Sequence, residues 1–172
     1  MKISDIQPTE HHSFYGNYLA LVPKDIELID GFKKSSEAII DFFENIPAVK
    51  LNYAYADKKW CVKEVFQHLI DTERVFQYRC FCIARHDKTS LPGFEENDYI
   101  EPSQAKNKSI ESLLEEFKAV RHSFILLLKS LNDEDLECIG NANENPMSAR
   151  AAAFVILGHY TWHINIIKER YL

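Results

Sequence analysis

Four long stretches of helical hydrophobic periodicity constrain the fold of this chain more than any other feature of its sequence. In each stretch, apolar residues recur at spacings of three and four, which places them on one face of an α-helix. We predict helices over about 23–46, 61–86, 109–131 and 148–171. Four amphipathic helices of this length bury their apolar faces most simply against one another. The sequence therefore predicts an all-α four-helix bundle, formed as a single domain over residues 1–172.

Local signals at the helix ends support these boundaries. Ser109 and Ser148 stand where a serine side chain can cap the first turn of the third and fourth helices. Pro47 ends the first helix, because the residue before a proline is displaced from helical conformation. Cys61 precedes the second helix with Glu64 three residues on, a weaker version of a capping box since cysteine is a poor acceptor.

A long connection, residues 88–108, separates the second and third predicted helices. Loops of this length in compact domains are often functional. Its acidic segment, residues 95–98, either covers a site as a lid or is a solvated connector, and the pattern favours the connector. Strand patterns are almost absent: residues 51–55 alternate but have no partner elsewhere in the sequence.

Charge and hydropathy exclude some partners. The formal net charge is −6 and the sequence pI is about 5.6, so nothing predicts the clustered cations that bind nucleic-acid phosphates. No apolar run approaches the length of a membrane span, and the N-terminal residues carry no signal-peptide pattern. We expect a cytoplasmic protein with no nucleic-acid or membrane partner.

Three of the seven histidines fall on apolar helix faces. His159 and His163 are four residues apart in the fourth predicted helix, so their side chains share one face about a turn apart. His68 lies on the inward face of the second predicted helix. Adjacent buried imidazoles need partners and resist protonation, and a divalent cation removes that difficulty. The pattern favours a three-histidine metal site with open coordination positions.

A structural role is the alternative for the same three histidines, with each imidazole bonded to a hydroxyl or carbonyl group. The spacing alone leaves both interpretations open. Zincin chemistry is excluded, because Tyr160 stands where a His-Glu-x-x-His motif places its glutamate. The remaining histidines are expected to be solvated or to complement a helix end; they are His11, His12, His86 and His122.

Several segments of the sequence resemble the DinB-like (damage-inducible) family. The strongest are residues 60–74, WCVKEVFQHLIDTER, and residues 158–172, GHYTWHINIIKERYL. The loop over 91–95 and the opening over 18–23 also look like one branch of that family. The resemblance covers nearly the whole chain. The family name reflects induction after DNA damage and implies no contact with DNA.

The resemblance implies a four-helix bundle of the DinB-like type that binds one divalent transition metal, zinc or nickel, through three histidines. These correspond to His68, His159 and His163. Cys61 departs from the usual serine and affects helix capping, whereas Trp162 replaces a frequent histidine and narrows the pocket. Members of the wider superfamily include transferases that use a low-molecular-weight thiol and a thiol-dependent isomerase. By resemblance, we expect a metal-dependent thiol transferase in stress or detoxification, with a small-molecule thiol and an electrophile as partners.

Two further functions stay open at this point. A non-enzymatic metal-binding or structural bundle is one, and a metal-dependent hydrolase is the other, since an open three-histidine site also activates water. Asp71, three residues from His68, is the nearest candidate for a general base or for a partner that orients a ligand histidine. Its alternative role is an ion pair with Arg74 or Arg79. Related bundles often dimerise, so a homodimer is also possible.

Overall fold

The computed structural model describes all 172 residues and consists mainly of helices. In chain order these are α1 (Gly16–Leu19), α2 (Leu28–Glu44), α3 (Val62–Ala84), α4 (Asn97–Ser103), α5 (Ile110–Lys129), α6 (Asp133–Glu137) and α7 (Ala149–Arg170). Three short 3-10 turns precede α1, and two more lie between later helices. Helices α3, α5 and α7 match their predicted stretches to within two residues, whereas α2 begins five residues later than predicted. The four long helices confirm the predicted fold class. No helix combines the length and the apolar character needed to cross a membrane.

One small sheet stands apart from this helical plan. Strands β1 (Ile139–Ala142) and β2 (Asn145–Ser148) form an antiparallel hairpin between α6 and α7. Its two-residue turn, Asn143 and Glu144, has positive φ angles of 54° and 62°, the backbone that tight hairpins favour. The sequence did not reveal this hairpin, because each strand has only four residues and they include poor strand formers. Residues 51–55, which alternate, form a turn instead.

The long helices run around the bundle in the order α2, α5, α3, α7, so consecutive helices α2 and α3 lie diagonally opposite each other. Residues 45–61 therefore cross one end of the bundle. Phenylalanines fill the interior, and the rings of Phe43 and Phe66 stack across the diagonal with centroids 3.8 Å apart. The two rings are nearly parallel and bury large apolar surfaces against each other.

Helix α7 is the most deeply placed element. Every residue from Ala149 to Tyr160 is buried, which requires cover on all sides. Its first turn is capped as predicted, since the Ser148 hydroxyl accepts a hydrogen bond from the Ala151 amide at 3.0 Å. The Ser109 hydroxyl caps α5 in the same way, at 3.1 Å from the Ser112 amide.

The short helix α1 supplies part of that cover and positions one wall of the site described below. It contacts α7 at Gly158, where a β-carbon would overlap with the backbone carbonyl of Tyr18. Only glycine permits this close approach. The contact brings the Tyr18 ring against His159, the next residue of α7, with ring centroids 5.1 Å apart.

Candidate metal centre

The structure brings His68 of α3 together with His159 and His163 of α7. One ring nitrogen from each residue lies within 4.8 Å of the others. The Nε2 atoms of His68 and His159 are 3.2 Å apart, and the rings of His159 and His163 have centroids 4.6 Å apart. The one-turn spacing on α7 and the inward position on α3 account for this arrangement, because α3 and α7 are neighbours in the bundle.

All three imidazoles are held in the neutral form. Burial, followed by repulsion from His163, lowers the pKa of His68 from 6.5 to about 3. Burial lowers the pKa of His163 to about 4. Burial and the two neighbouring imidazoles also place the pKa of His159 well below its usual value. At neutral pH, each ring therefore keeps a lone pair available for a ligand, as metal binding requires.

The donor set fits a divalent transition metal. Two nitrogens coordinated tetrahedrally to zinc, each at about 2.0–2.1 Å, stand roughly 3.3 Å apart. The Nε2 atoms of His68 and His159 show nearly this separation, 3.2 Å. The other ring nitrogen of His159, Nδ1, is buried and has no hydrogen-bond partner, so no protein group fixes the tautomer of this ring from that side. Three imidazoles of this kind suit zinc or nickel, and no carboxylate belongs to the cluster.

Aromatic side chains surround the three histidines. The Trp60 ring packs on His68 with centroids 4.9 Å apart. Tyr18 packs edge-on against both His159 and Trp162, at 5.1 and 5.8 Å. Trp162 takes part in this wall, in keeping with the expectation that it narrows the pocket. These rings limit the access of water to the histidines on that side.

A cavity of about 450 Å³ opens beside the histidines. This volume is in the range of small-molecule sites. Elements distant in sequence line it: α1 and the turn before it, α3, α7, the hairpin turn, and the connection between α3 and α4. Residues 93–96 of the long connection belong to the wall, so part of the 88–108 loop does border the site.

Asp71 lies outside this cavity. Its Oδ1 accepts hydrogen bonds from Gln67 at 3.1 Å and Arg74 at 2.8 Å, so the alternative ion pair with Arg74 is the one that the structure shows. Burial raises the pKa of Asp71, and this effect outweighs the two hydrogen bonds, which lower it. Its neighbour Glu116 is also buried in part, yet bonds from Gln67, Lys108 and Arg74 outweigh that burial and lower its pKa to about 2. The structure does not bring Asp71 to the three histidines.

The sequence did not predict several of the residues that line the cavity. His12, expected to be solvated, lines the cavity, as do Thr72, Arg79, Phe94 and Asn143. Thr72 and Arg79 carried a weak signal, because they continue the face of α3 that bears His68. The others come from loops and turns, whose position periodicity cannot predict. His86 lies elsewhere and contacts Asp135 at 3.3 Å.

Comparison with known proteins places this architecture. The sequence profile of the DinB superfamily matches residues 32–167. A protein of Geobacillus thermodenitrificans, named as a candidate metal-dependent hydrolase, is 28% identical over 116 residues, which is 66% of this chain and 63% of that protein. The match thus spans less than two thirds of that relative's length.

Two solved structures share the fold. YfiT from Bacillus subtilis, described as a candidate metal-dependent hydrolase with an unusual four-helix bundle topology, superposes with a TM-score of 0.74 at 17% identity, covering 86% of this chain and 90% of YfiT. The mycothiol-dependent maleylpyruvate isomerase superposes with a TM-score of 0.66 at 7% identity, covering 82% of this chain and 60% of the isomerase. At these identities the likeness shows the fold alone. The profile match covers most of the chain, and the chain belongs to the DinB superfamily.

Proposed function

We propose that the chain is a metal-dependent enzyme that transfers a low-molecular-weight thiol to an electrophile. The observation that carries the proposal is the convergence of three neutral histidines, two buried and one half-buried, beside a cavity large enough for a small molecule. His68, His159 and His163 would hold one zinc or nickel ion. A metal with three protein ligands keeps coordination positions for a substrate.

When bound, such a metal lowers the pKa of a coordinated thiol and so supplies a thiolate at neutral pH. In the metal-free protein, burial lowers the pKa of His68 to about 3 and that of His163 to about 4, so both rings are already neutral when a metal would bind. The aromatic wall of Tyr18, Trp60 and Trp162 limits the access of water to the site. Water therefore competes less with the thiolate for the electrophile. In the transfer, sulfur bonds to the electrophilic carbon, the leaving group departs with its electron pair, and the thiol proton passes to solvent.

The composition of the site supports a thiol over water as nucleophile. Zinc and nickel accept a soft thiolate readily. A coordinated thiol needs no general base, since its proton is already acidic, so a cluster without a carboxylate is sufficient for this chemistry. Asp71, the carboxylate proposed from the sequence, is engaged by Gln67 and Arg74 instead. The mycothiol dependence in the name of the structurally similar isomerase agrees with this choice.

Hydrolysis is the second candidate function. The Geobacillus relative and YfiT both carry names that point to a metal-dependent hydrolase. A metal with an open position can supply hydroxide near neutral pH without a separate base. The same three histidines would serve, and the substrate would be an ester or amide in the same cavity.

A paired assay separates the two functions. Zinc-loaded protein is incubated with 1-chloro-2,4-dinitrobenzene and each of several small thiols, and thiol and electrophile are followed together. We expect equal loss of both and formation of the thioether. In parallel, 4-nitrophenyl acetate without thiol tests hydrolysis.

The variant His159→Ala is expected to lose thioether formation, while His122→Ala, which changes an exposed histidine on α5, is expected to keep it. Release of nitrophenol without thiol, lost in His159→Ala, would favour the hydrolase instead. No turnover in either assay by a protein that holds zinc would leave a metal-binding bundle without these activities.

A further inference from the structure

One face of α3 extends the candidate metal centre into the cavity. His68, Thr72, Phe76 and Arg79 follow one another at spacings of four, four and three, and all four line the cavity. Arg79 is eleven residues beyond His68, which corresponds to roughly 16 Å of rise along the helix. The cavity therefore has a metal-binding end and a cationic end on the same helix.

Arg79 is a buried guanidinium without a counter-ion. Only 2% of its surface is exposed, yet none of the salt bridges in the structure includes it. Its Nη2 donates to the Pro92 carbonyl at 3.0 Å. Its Nε is buried with no partner at all. Its remaining contacts are aromatic: the guanidinium carbon lies 4.9 Å from the ring centroid of Phe76 and 5.8 Å from that of Phe94.

Thr72 repeats the pattern about two helical turns closer to the histidines. The residue is 4% exposed, and its hydroxyl is buried without a hydrogen-bond partner. Buried polar groups in proteins are almost always bonded, so two unpartnered groups in one cavity point to a missing ligand. Both can donate a hydrogen bond, which indicates that the ligand supplies acceptors.

The charge of the cavity narrows the class of ligand. A buried charge without a partner is strongly unfavourable, and an oxyanion with paired oxygens is the partner that a guanidinium fits best. Arg79 is the only lysine or arginine among the lining residues. The one lining carboxylate, Glu96, is exposed and forms no ion pair with it. A single cation between two aromatic rings suits a singly charged carboxylate better than a doubly charged phosphate.

We propose that the cavity binds a substrate that carries a carboxylate, and that Arg79 holds this carboxylate while the reactive end lies at the three histidines. Thr72 donates a hydrogen bond to the middle of the same molecule. The proposal rests on the proposed function for the identity of the reactive end. Arg79 is then a specificity-determining residue: it selects elongated carboxylates and excludes neutral molecules of equal length.

The first experiment uses the metal-free protein and does not depend on any metal. The dissociation constants of hexanoate and of hexan-1-ol, which are matched in length and apolar surface, are measured by isothermal titration calorimetry. We expect hexanoate to bind about tenfold tighter or more, the effect of a charge-assisted bidentate bond. Arg79→Met should abolish the preference. Arg85→Met, which removes an exposed arginine at the end of the same helix, should retain it.

The second experiment uses the zinc-loaded protein and mercaptoalkanoates of four, six and eight carbons, each against the corresponding mercaptoalcohol. We expect the preference for the carboxylate to be largest at the chain length that spans from the histidines to Arg79. If the wild type binds no zinc but still prefers hexanoate, the proposed function fails and the carboxylate site stands. Equal affinities for hexanoate and hexan-1-ol in the wild type would overturn the carboxylate site alone.

Folding of the variants is checked by circular dichroism and thermal unfolding. If Arg79→Met does not fold, Arg79→Lys replaces it. Lysine keeps the charge but loses the paired geometry, so the preference should fall without disappearing. An unchanged preference in a folded Arg79→Met protein would also overturn the assignment.

Discussion

Two polar clusters are buried between the long helices, and they differ in how completely they are satisfied. The first joins α5 to α3 through Arg121 and Glu73, both essentially without exposure to solvent. Arg121 donates to both carboxylate oxygens of Glu73, at 2.7 and 2.9 Å. It also donates to the Phe32 carbonyl and the Ser35 hydroxyl, at 3.3 and 2.7 Å. Every group of this ion pair has a partner within the protein.

The second cluster, the three histidines between α3 and α7, lacks such partners. His68 and His159 share one short contact between their Nε2 atoms, and the Nδ1 atom of His159 has none. A cavity borders this cluster, whereas the ion pair is surrounded by the rings of Phe32, Phe117 and Tyr160. Burial of polar groups alone therefore does not mark a functional site. Buried polar groups that lack hydrogen-bond partners and border a cavity are the better indicator.

The largest effect is expected from the satisfied cluster. Arg121→Met leaves the carboxylate of Glu73 buried without its partner, and we expect a loss of about 3–5 kcal/mol in the free energy of unfolding. Urea unfolding of the metal-free protein measures it. Restoration of most of this stability in the double variant Arg121→Met, Glu73→Leu would show that the uncompensated charge causes the loss. A loss below about 1 kcal/mol in the single variant would contradict a structural role.

Zinc should act only on the unsatisfied cluster. At a free concentration 100 to 1,000 times its dissociation constant, zinc should stabilise the wild type by about 2.7–4.1 kcal/mol, because it binds the folded chain. The increase should vanish in His163→Ala and persist in His122→Ala. Thermal unfolding with and without zinc gives both values. Stabilisation of His163→Ala to the wild-type extent would place the bound zinc elsewhere.

Lowering the pH should destabilise the metal-free protein through its buried histidines. In the unfolded chain the histidines titrate near 6.5, whereas in the folded chain burial lowers the pKa of His68 to about 3 and that of His163 to about 4. Between these values the unfolded chain binds more protons, so stability is greatest above pH 6.5 and falls as the pH decreases toward 4. Each such histidine contributes up to about 1.4 kcal/mol per pH unit.

The slope is measured by urea unfolding at several pH values between 4.5 and 7.5, with a chelator present. His68→Ala should reduce the slope by about one histidine's share, whatever its effect on stability at pH 7.5. Equal slopes in His68→Ala and the wild type would mean that His68 is not held neutral.

The smallest effect is expected at Asp71. Asp71→Asn removes an ion pair with Arg74, whose side chain is 46% exposed, so the change in stability should stay below about 1 kcal/mol. Zinc binding should not change, because Asp71 does not contact the histidines. Weaker zinc binding in this variant, measured by competition with a chromophoric chelator, would restore Asp71 as a residue that orients the site.

Periodicity predicted what depends on one helix at a time. The four long helices, the serine caps of α5 and α7, and the shared face of His159 and His163 all follow from local spacing. The inward position of His68 already suggested it as a third ligand, and the resemblance to the DinB-like family, borne out by the profile match, supported the same set.

Features that depend on tertiary contacts were not predictable. Asp71 is three residues from His68, yet its carboxylate bonds Gln67 and Arg74, because both of these side chains also hold Glu116 of α5. The buried Arg79 looked like any surface arginine, since the sequence does not show that Phe94 and Pro92 fold over it. The hairpin at 139–148 depends on its contacts with the bundle and carries little strand propensity of its own.

The metal content of the purified protein decides whether His68, His159 and His163 hold a metal ion. Untagged wild type, His159→Ala and His122→Ala are prepared without chelator, incubated with zinc or nickel, desalted and analysed by mass spectrometry for metal per chain. We expect about one equivalent in the wild type and in His122→Ala, and almost none in His159→Ala. Absence of metal from the wild type after both incubations, or full retention in His159→Ala, would contradict a metal site at the three histidines.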